Sequence, residues 1–282
     1  MASNAPIVVP LDGSHNAENA LPYAALASRL YEAPVHFIHV ADKDEVESPT
    51  DLAKARAAFD AYARDLAKRY GADQHGVQTE VLHGSPGPAI LDYASGARFI
   101  VIASHGRGGF KAAIIGSVAD KVVRGSTVPV FFIPGVGLPA AAEIRRVLIA
   151  VDGSEEAERG LRLGREIAAK TGATVALVRS YNIAPPVGVE FGYYPVDVVE
   201  ALRKGAEEYL TATAKPGEEK YVVQASPAIG IEETANRIDA DLVVMASRGK
   251  GLAGRLAFGS TTDRVMHSLH RAMLIVPPPE GE

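Results

Sequence analysis

Residues 8–20 read VVPLDGSHNAENA and residues 148–160 read LIAVDGSEEAERG. Each stretch opens as a short apolar run, breaks at Asp-Gly-Ser and continues in a helix-forming segment. The apolar run suits a buried strand, and Asp-Gly-Ser suits a tight turn. Ser14 and Ser154 then stand where helix N-caps belong, and Glu155 and Glu156 suit the positive end of the second helix. One strand, turn and helix are thus predicted twice.

The repetition extends through nearly the whole chain. VHFIHV (35–40) aligns with VALVRS (175–180), and HGSPGPAILDYA (83–94) with QASPAIGIEETA (224–235). RFIVIASHGRGGFKAAIIGSVADKVV (98–123) aligns with DLVVMASRGKGLAGRLAFGSTTDRVM (241–266), and VPVFFIP (128–134) with RAMLIVP (271–277). Matches in the same order over this length mean duplication of a domain. The 282 residues divide into copies at 1–138 and 139–282, joined through GVGLPAAAEIR (135–145).

Composition narrows the class. A hydrophobic content of 47% supplies real cores, and no apolar run is long enough to span a membrane. A net charge of −5 argues against general nucleic-acid binding. The absence of cysteine removes disulfides, thiolate nucleophiles and cysteine metal sites, and a cytoplasmic location is expected. The N-terminal stretch lacks the charged start of a signal peptide.

Short Val/Ile/Phe-rich runs (7–11, 35–40, 99–103, 129–133) alternate with helix-length segments. In 50–70 the apolar stripe is Leu52, Phe59, Tyr62 and Leu66; in 196–214 it is Val199, Leu202, Ala206 and Leu210. This alternation predicts an α/β fold with a parallel sheet, right-handed crossovers and helices on both faces. Ligands of such sheets bind at the carboxyl ends of the strands, where Asp12 and Asp152 fall.

A second motif ends the fourth run of each copy. Ala103-Ser-His-Gly106 is followed after nine residues by Gly116-Ser117-Val118, and Ala246-Ser-Arg-Gly249 by Gly259-Ser260-Thr261. Glycine admits a ligand close to backbone N–H groups, and a helix N-terminus favours an anion. The intervening loops are glycine-rich and basic, with Arg107 and Lys111 in one and Lys250 and Arg255 in the other. Ser117…Asp120 and Ser260…Asp263 also read as capping boxes. Neither a Walker A loop nor a dinucleotide fingerprint is present.

At these residues the chain resembles the universal stress protein family. The resemblance covers both copies and implies two tandem Rossmann-like domains, each a five-stranded parallel sheet with helices on both faces. Nucleotide-binding members of that family carry Gly-x2-Gly-x9-Gly-Ser/Thr after the fourth strand and an Asp ending the first. The resemblance implies an adenine nucleotide (ATP, ADP or AMP) as ligand of one or both copies. In copy one it would meet Pro10, Asp12, Ser14, Val40, Ala103, Gly106, Arg107, Gly116, Ser117 and Val118. In copy two it would meet Asp152, Ser154, Ser180, Ala246, Gly249, Lys250, Gly259, Ser260 and Thr261. Ala103 and Ala246 replace the family's first glycine and turn a methyl group toward the ribose. The last strands are expected to pair the two copies within one chain; further homodimerisation is compatible with this.

His15, His39, His83 and His105 lie near the expected ligand edge of copy one and become Glu155, Arg179, Gln224 and Arg248 in copy two. They read either as polar lining, with anion binding that tightens as pH falls, or as a metal site. His36 reads as a partly buried sheet residue. YNIAPPVGVEFGYYPVD (181–197) is particular to copy two and reads as a lid or partner surface, with Tyr193 and Tyr194 as contacts, or as packing over the sheet edge. No Gly-x-Ser-x-Gly or His-Glu-x-x-His sequence occurs, and no catalytic residue is assigned. The reading reached is a stress-response regulator that binds nucleotide. A scaffold or small-ligand binder with degenerate pockets, and a slow or metal-assisted ATPase, are the alternatives.

Overall fold

The computed structural model describes residues 5–41, 48–105, 115–135, 142–182, 196–249 and 258–278. The chain forms two compact units, Met1–Glu143 with Leu269–Glu282, and Ile144–Ser268. Among the described residues, no helix is long and apolar enough to cross a membrane.

The first unit runs β1 (Ile7–Pro10), α1 (His15–Glu18), α2 (Leu21–Tyr31), β2 (Val35–Ala41), α3 (Pro49–Tyr70), β3 (Val77–His83), α4 (Pro86–Tyr93), β4 (Phe99–Ala103), α5 (Ser117–Gly125) and β5 (Val130–Ile133). The second runs β6 (Arg146–Ala150), α6 (Glu155–Thr171), β7 (Thr174–Tyr181), α7 (Val196–Thr213), β8 (Glu219–Gln224), α8 (Pro227–Arg237), β9 (Leu242–Ala246) and α9 (Ser260–Ser268). The chain then returns to the first unit as β10 (Ala272–Val276). Among the described residues, each repeat of the sequence thus contributes five strands.

In the first unit β1 is flanked by β2 and β4, and β3 and β5 lie outside them, all parallel. The sheet grows one way from β1 through β2 to β3, then reverses to β4 and β5. In the second unit β6 lies between β7 and β9, again parallel, with β8 beyond β7. The reversal falls between β1 and β4, and between β6 and β9. At such a switch point the crossovers leave toward opposite faces and open a crevice at the carboxyl ends of the strands. β10 pairs with β5 antiparallel, Met273 opposite Phe132 and Ile275 opposite Val130. Both strands are buried throughout, as their unbroken apolar sequences require.

The helix after the first strand differs between the repeats. α6 is continuous, whereas α1 stops and α2 begins with Pro22 in its first turn. Proline has no N–H to give to the carbonyl four residues back, so the helix restarts there. α3 buries Phe59, Ala63, Leu66 and Ala67. On α7, Ala206 and Leu210 are buried, but Leu202 is 41% and Val198 43% exposed.

One ion pair fastens the second unit. Arg165 on α6 donates through Nε to Glu218 Oε1 at 2.7 Å and through Nη2 to Oε2 at 2.6 Å. The Lys215 amide adds a third bond to Oε2 at 2.8 Å, and Arg165 also holds the Thr213 carbonyl. Burial alone would raise the Glu218 pKa, but these bonds outweigh it and hold the carboxyl below its ordinary range. A depressed folded pKa stabilises the protein above the unfolded value, and the contribution is lost as pH falls through the folded value. Glu218→Gln is therefore expected to cost about 1–3 kcal/mol at pH 7, because it strands a largely buried guanidinium. Urea denaturation should show the gap between wild type and variant closing below about pH 4.

Candidate functional site at the carboxyl ends of the strands

The repeated Asp-Gly-Ser is a turn in which each residue has one task. Asp152 Oδ1 accepts from the Ser154 amide at 2.9 Å and from its hydroxyl at 2.6 Å, and Ser154 Oγ accepts from the Ala157 amide at 3.1 Å. The first repeat matches it: Asp12 Oδ1 accepts from the Ser14 amide at 3.0 Å and hydroxyl at 2.6 Å, and Ser14 Oγ from the Ala17 amide at 3.2 Å. Gly13 and Gly153 have φ of 80° and 81°, a region that side chains disfavour. Ser14 and Ser154 are helix N-caps as expected.

The two ends of the second motif are joined by one backbone bond. The Gly116 amide donates to the Ser104 carbonyl at 2.7 Å, and the Gly259 amide to the Ser247 carbonyl at 2.8 Å. Each glycine carbonyl then accepts the first bond of the helix, from Asp120 at 3.0 Å and Asp263 at 2.9 Å. The expected capping boxes are corrected by this. The N-cap of α5 is Gly116, with extended φ and ψ and no side-chain cap bond, and Ser117 is already inside the helix. The strand-end carbonyl fixes the glycine as the last extended residue, so the helix begins one residue earlier than Ser-x-x-Asp suggests. Ser117 and Ser260 consequently stand exposed in the first turn.

In the second unit these pieces enclose a cavity of about 380 Å³. Its wall includes Ala150, Val151 and Asp152 from the end of β6, and Val178 and Ser180 from β7. Met245, Ala246, Arg248 and Gly249 come from the end of β9, and Gly259, Ser260, Thr261 and Thr262 from the start of α9. Ala157, Pro227 and Ile231 complete it. Asp152, Ser180, Ala246, Gly249, Gly259, Ser260 and Thr261 are therefore brought together. Ser154 is not in the wall; it acts behind Asp152. Lys250 lies outside the described residues.

Two contacts make the glycines of this wall hard to replace. A Cβ on Gly249 would overlap Asp152 Oδ2, and one on Gly259 would stand 3.0 Å from the Ser247 carbonyl oxygen. Ser180 Oγ is buried and bonded to none of the described residues, and it lies against Gly230 of α8. Thr262, Pro227, Val178 and Ile231 were not singled out from the sequence. Thr262 Oγ1 donates to the Ala246 carbonyl at 2.9 Å and ties α9 to β9. The copy-one counterpart is Ala119, so the difference between repeats was the available signal.

In the first unit Pro10 and Ala103 end β1 and β4, Asp12 follows β1, Val40 is near the end of β2, and Gly116, Ser117 and Val118 begin α5. Gly106 and Arg107 lie outside the described residues, as do Lys111 and Arg255. The same holds for 183–195 of the segment particular to copy two, including Tyr193 and Tyr194.

The four histidines of copy one do not share a setting. His15 is fully exposed, 3.5 Å from Glu18, and His83 is exposed at the end of β3. His39 Nδ1 lies 2.8 Å from the Leu11 carbonyl oxygen. His105 is only 9% exposed, with Nδ1 2.8 Å from Ser104 Oγ, which itself accepts from the Gly135 amide at 3.0 Å. Among the described residues, no three His, Asp or Glu side chains form a group that could hold a metal. His36, half-buried as expected, lies 3.2 Å through Nδ1 from the Tyr93 hydroxyl.

A family model described as the universal stress protein family matches residues 4–134 and again 143–277. The chain belongs to the universal stress protein family. A universal stress protein of Mycolicibacterium smegmatis is 24% identical over 96% of this chain and 97% of its own. One from Thermus aquaticus is 31% identical over 47% of this chain and 98% of its own. Among solved structures, a universal stress protein from Archaeoglobus fulgidus has a TM-score of 0.71 at 21% identity, covering 98% of this chain and 99% of that one. One from Pseudomonas aeruginosa UCBPP-PA14 has a TM-score of 0.67 at 20% identity, covering 98% and 94%. These likenesses show that the fold is the family's α/β fold, present twice.

Burial lowers the pKa of His105, and likewise of His36. The unfolded chain then takes up protons near the ordinary value of 6.5 while the folded chain resists them. The stability these groups contribute is present above that value and is lost as pH falls through the lower folded values. Chemical denaturation at pH 8, 6.5 and 5 should show stability declining through this window, and His105→Gln should flatten the decline. Ser154→Ala should cost about 1 kcal/mol at pH 7 through the lost cap, measured by the same denaturation.

Proposed function

We propose that the second-repeat cavity binds an adenine nucleotide, and that the protein acts as a regulator through binding rather than through turnover. The observation that carries this reading is the cavity wall itself, in which Asp152, Ser180, Gly249, Gly259, Ser260 and Thr261 converge. These are the positions that match the nucleotide-binding motif of the family. Three physical features support the fit. The orphaned Ser180 hydroxyl wants a polar partner, since leaving a buried polar atom unbonded costs about 1–3 kcal/mol. Gly249 and Gly259 let the wall close tightly, since a Cβ on either would meet Asp152 Oδ2 or the Ser247 carbonyl. The start of α9 presents unpaired N–H groups beside the hydroxyls of Ser260 and Thr261, a favourable setting for phosphate.

In this reading Asp152 and Ser180 hold the base, and Gly259, Ser260 and Thr261 hold the ribose and phosphates. The first repeat carries Asp12, Val40, Gly116, Ser117 and Val118 at the corresponding places, and the same ligand class is proposed for it. Ala246 brings a methyl group into the wall, and a clash of about 1.4 kcal/mol there would weaken binding about tenfold.

The test is to purify the protein without added nucleotide, denature it, and identify by mass spectrometry what is released. Adenine nucleotide is expected from wild type, and less of it from Gly259→Asp, whose side chain would meet the Ser247 carbonyl. A protein that releases none and binds no ATP at millimolar concentration would overturn the reading and favour a scaffold.

A further inference from the structure

The two repeats are alike at Asp-Gly-Ser and at the glycine before the last helix, but they differ at one position that matters to an anion. The third residue of the strand-end motif is Arg248 in the second repeat and His105 in the first. Arg248 belongs to the wall of the second cavity. Its Cα would lie 3.5 Å from a Cβ on Gly259, so its backbone abuts the residue that opens α9. The guanidinium is charged at any physiological pH and presents several donors suited to phosphate oxygens.

His105 is used differently. Its Nδ1 faces Ser104 Oγ at 2.8 Å, and a Cβ on Gly135 would come within 3.3 Å of it. Gly135 follows β5 and is held in turn by Asn19 through its carbonyl at 3.3 Å. His105 Nε2 is buried with no partner among the described residues. The ring's contacts are with Ser104, just after β4, and with Gly135, just after β5.

We propose that Arg248 makes the second cavity favour phosphorylated over uncharged nucleosides, and that the first repeat lacks this selectivity because its counterpart, His105, is held against Ser104 and Gly135. The proposal rests on the nucleotide reading above and adds to it which repeat discriminates phosphorylated from uncharged nucleosides, and by which residue. It also replaces the expectation that His105 supplies a proton-dependent anion contact.

The test is calorimetric titration of the full chain with ATP and, separately, with adenosine, which shares the base and ribose but has no charge. ATP is expected to bind in a tight phase that Arg248→Gln weakens about tenfold, in line with loss of a charged hydrogen bond. Adenosine affinity should stay within about twofold, and Arg248→Lys should recover most of the ATP affinity because it restores the charge. His105→Gln should leave the ratio of ATP to adenosine affinity unchanged. Arg248→Gln with ATP affinity intact, or with ATP and adenosine weakened alike, would overturn the proposal while leaving nucleotide binding standing. A fall in the ratio on His105→Gln would overturn its second half. A wild-type protein that binds neither ligand would overturn the nucleotide reading, and this proposal with it.

Discussion

A single backbone hydrogen bond in each repeat, from Gly116 to the Ser104 carbonyl and from Gly259 to the Ser247 carbonyl, sets the geometry on which the rest of the site depends. It returns the chain to the strand end it left. It fixes where the following helix begins, and therefore which amides of that helix stay unpaired. In the second repeat, Asp152 and Gly249 sit against each other next to this closure with no room for a side chain between them. The cavity is what remains between a turn, a strand end and a helix start that are each pinned by short bonds. Its shape is backbone-made, which explains why glycine and small residues dominate the recurring positions.

Much of this was legible because the protein writes its pattern twice. Asp-Gly-Ser alone is a common turn, but two occurrences at matching places in two matching series identify a strand end. The doubling of Ala-Ser-x-Gly with the later Gly-Ser/Thr did the same for the fourth strand. What stayed illegible depended on contacts between segments distant in sequence. Ser117…Asp120 has the letters of a capping box, yet the cap is Gly116, because the Ser104 carbonyl captures its amide. The stripe on α7 has helical period at Leu202 and Ala206 alike, but period says nothing of how far along a helix its apolar cover extends. His105 looked like one of four histidines at a ligand edge, and only its distances to Ser104 and Gly135 set it apart.

Duplicated domains begin as equals, and these two have come to differ both in backbone, at the first helix, and in side chains. Pro22 splits the first helix where Arg162 lets α6 run on. Val40 and Ala89 correspond to Ser180 and Gly230, where the smaller glycine leaves space for a hydroxyl. Tyr62 bonds Glu18 and Tyr209 bonds Glu158, each at 3.0 Å, so some links have survived unchanged. The scaffold is kept, and single side chains at the strand ends are varied, Val40 against Ser180 and His105 against Arg248.

The antiparallel pairing of β10 with β5 bears on how the protein is made. A ribosome delivers β5 long before β10, with the whole of the second unit synthesised between them. Until residues 272–276 emerge, the apolar β5 has an open edge, while the strands and helices of the second unit are already complete. The first unit to be started is therefore the last to be finished. Contacts of such sequence separation form slowly, and an unpaired strand edge invites association with other nascent chains. During synthesis, the edge of Val130–Ile133 thus stays unpaired until the final strand arrives.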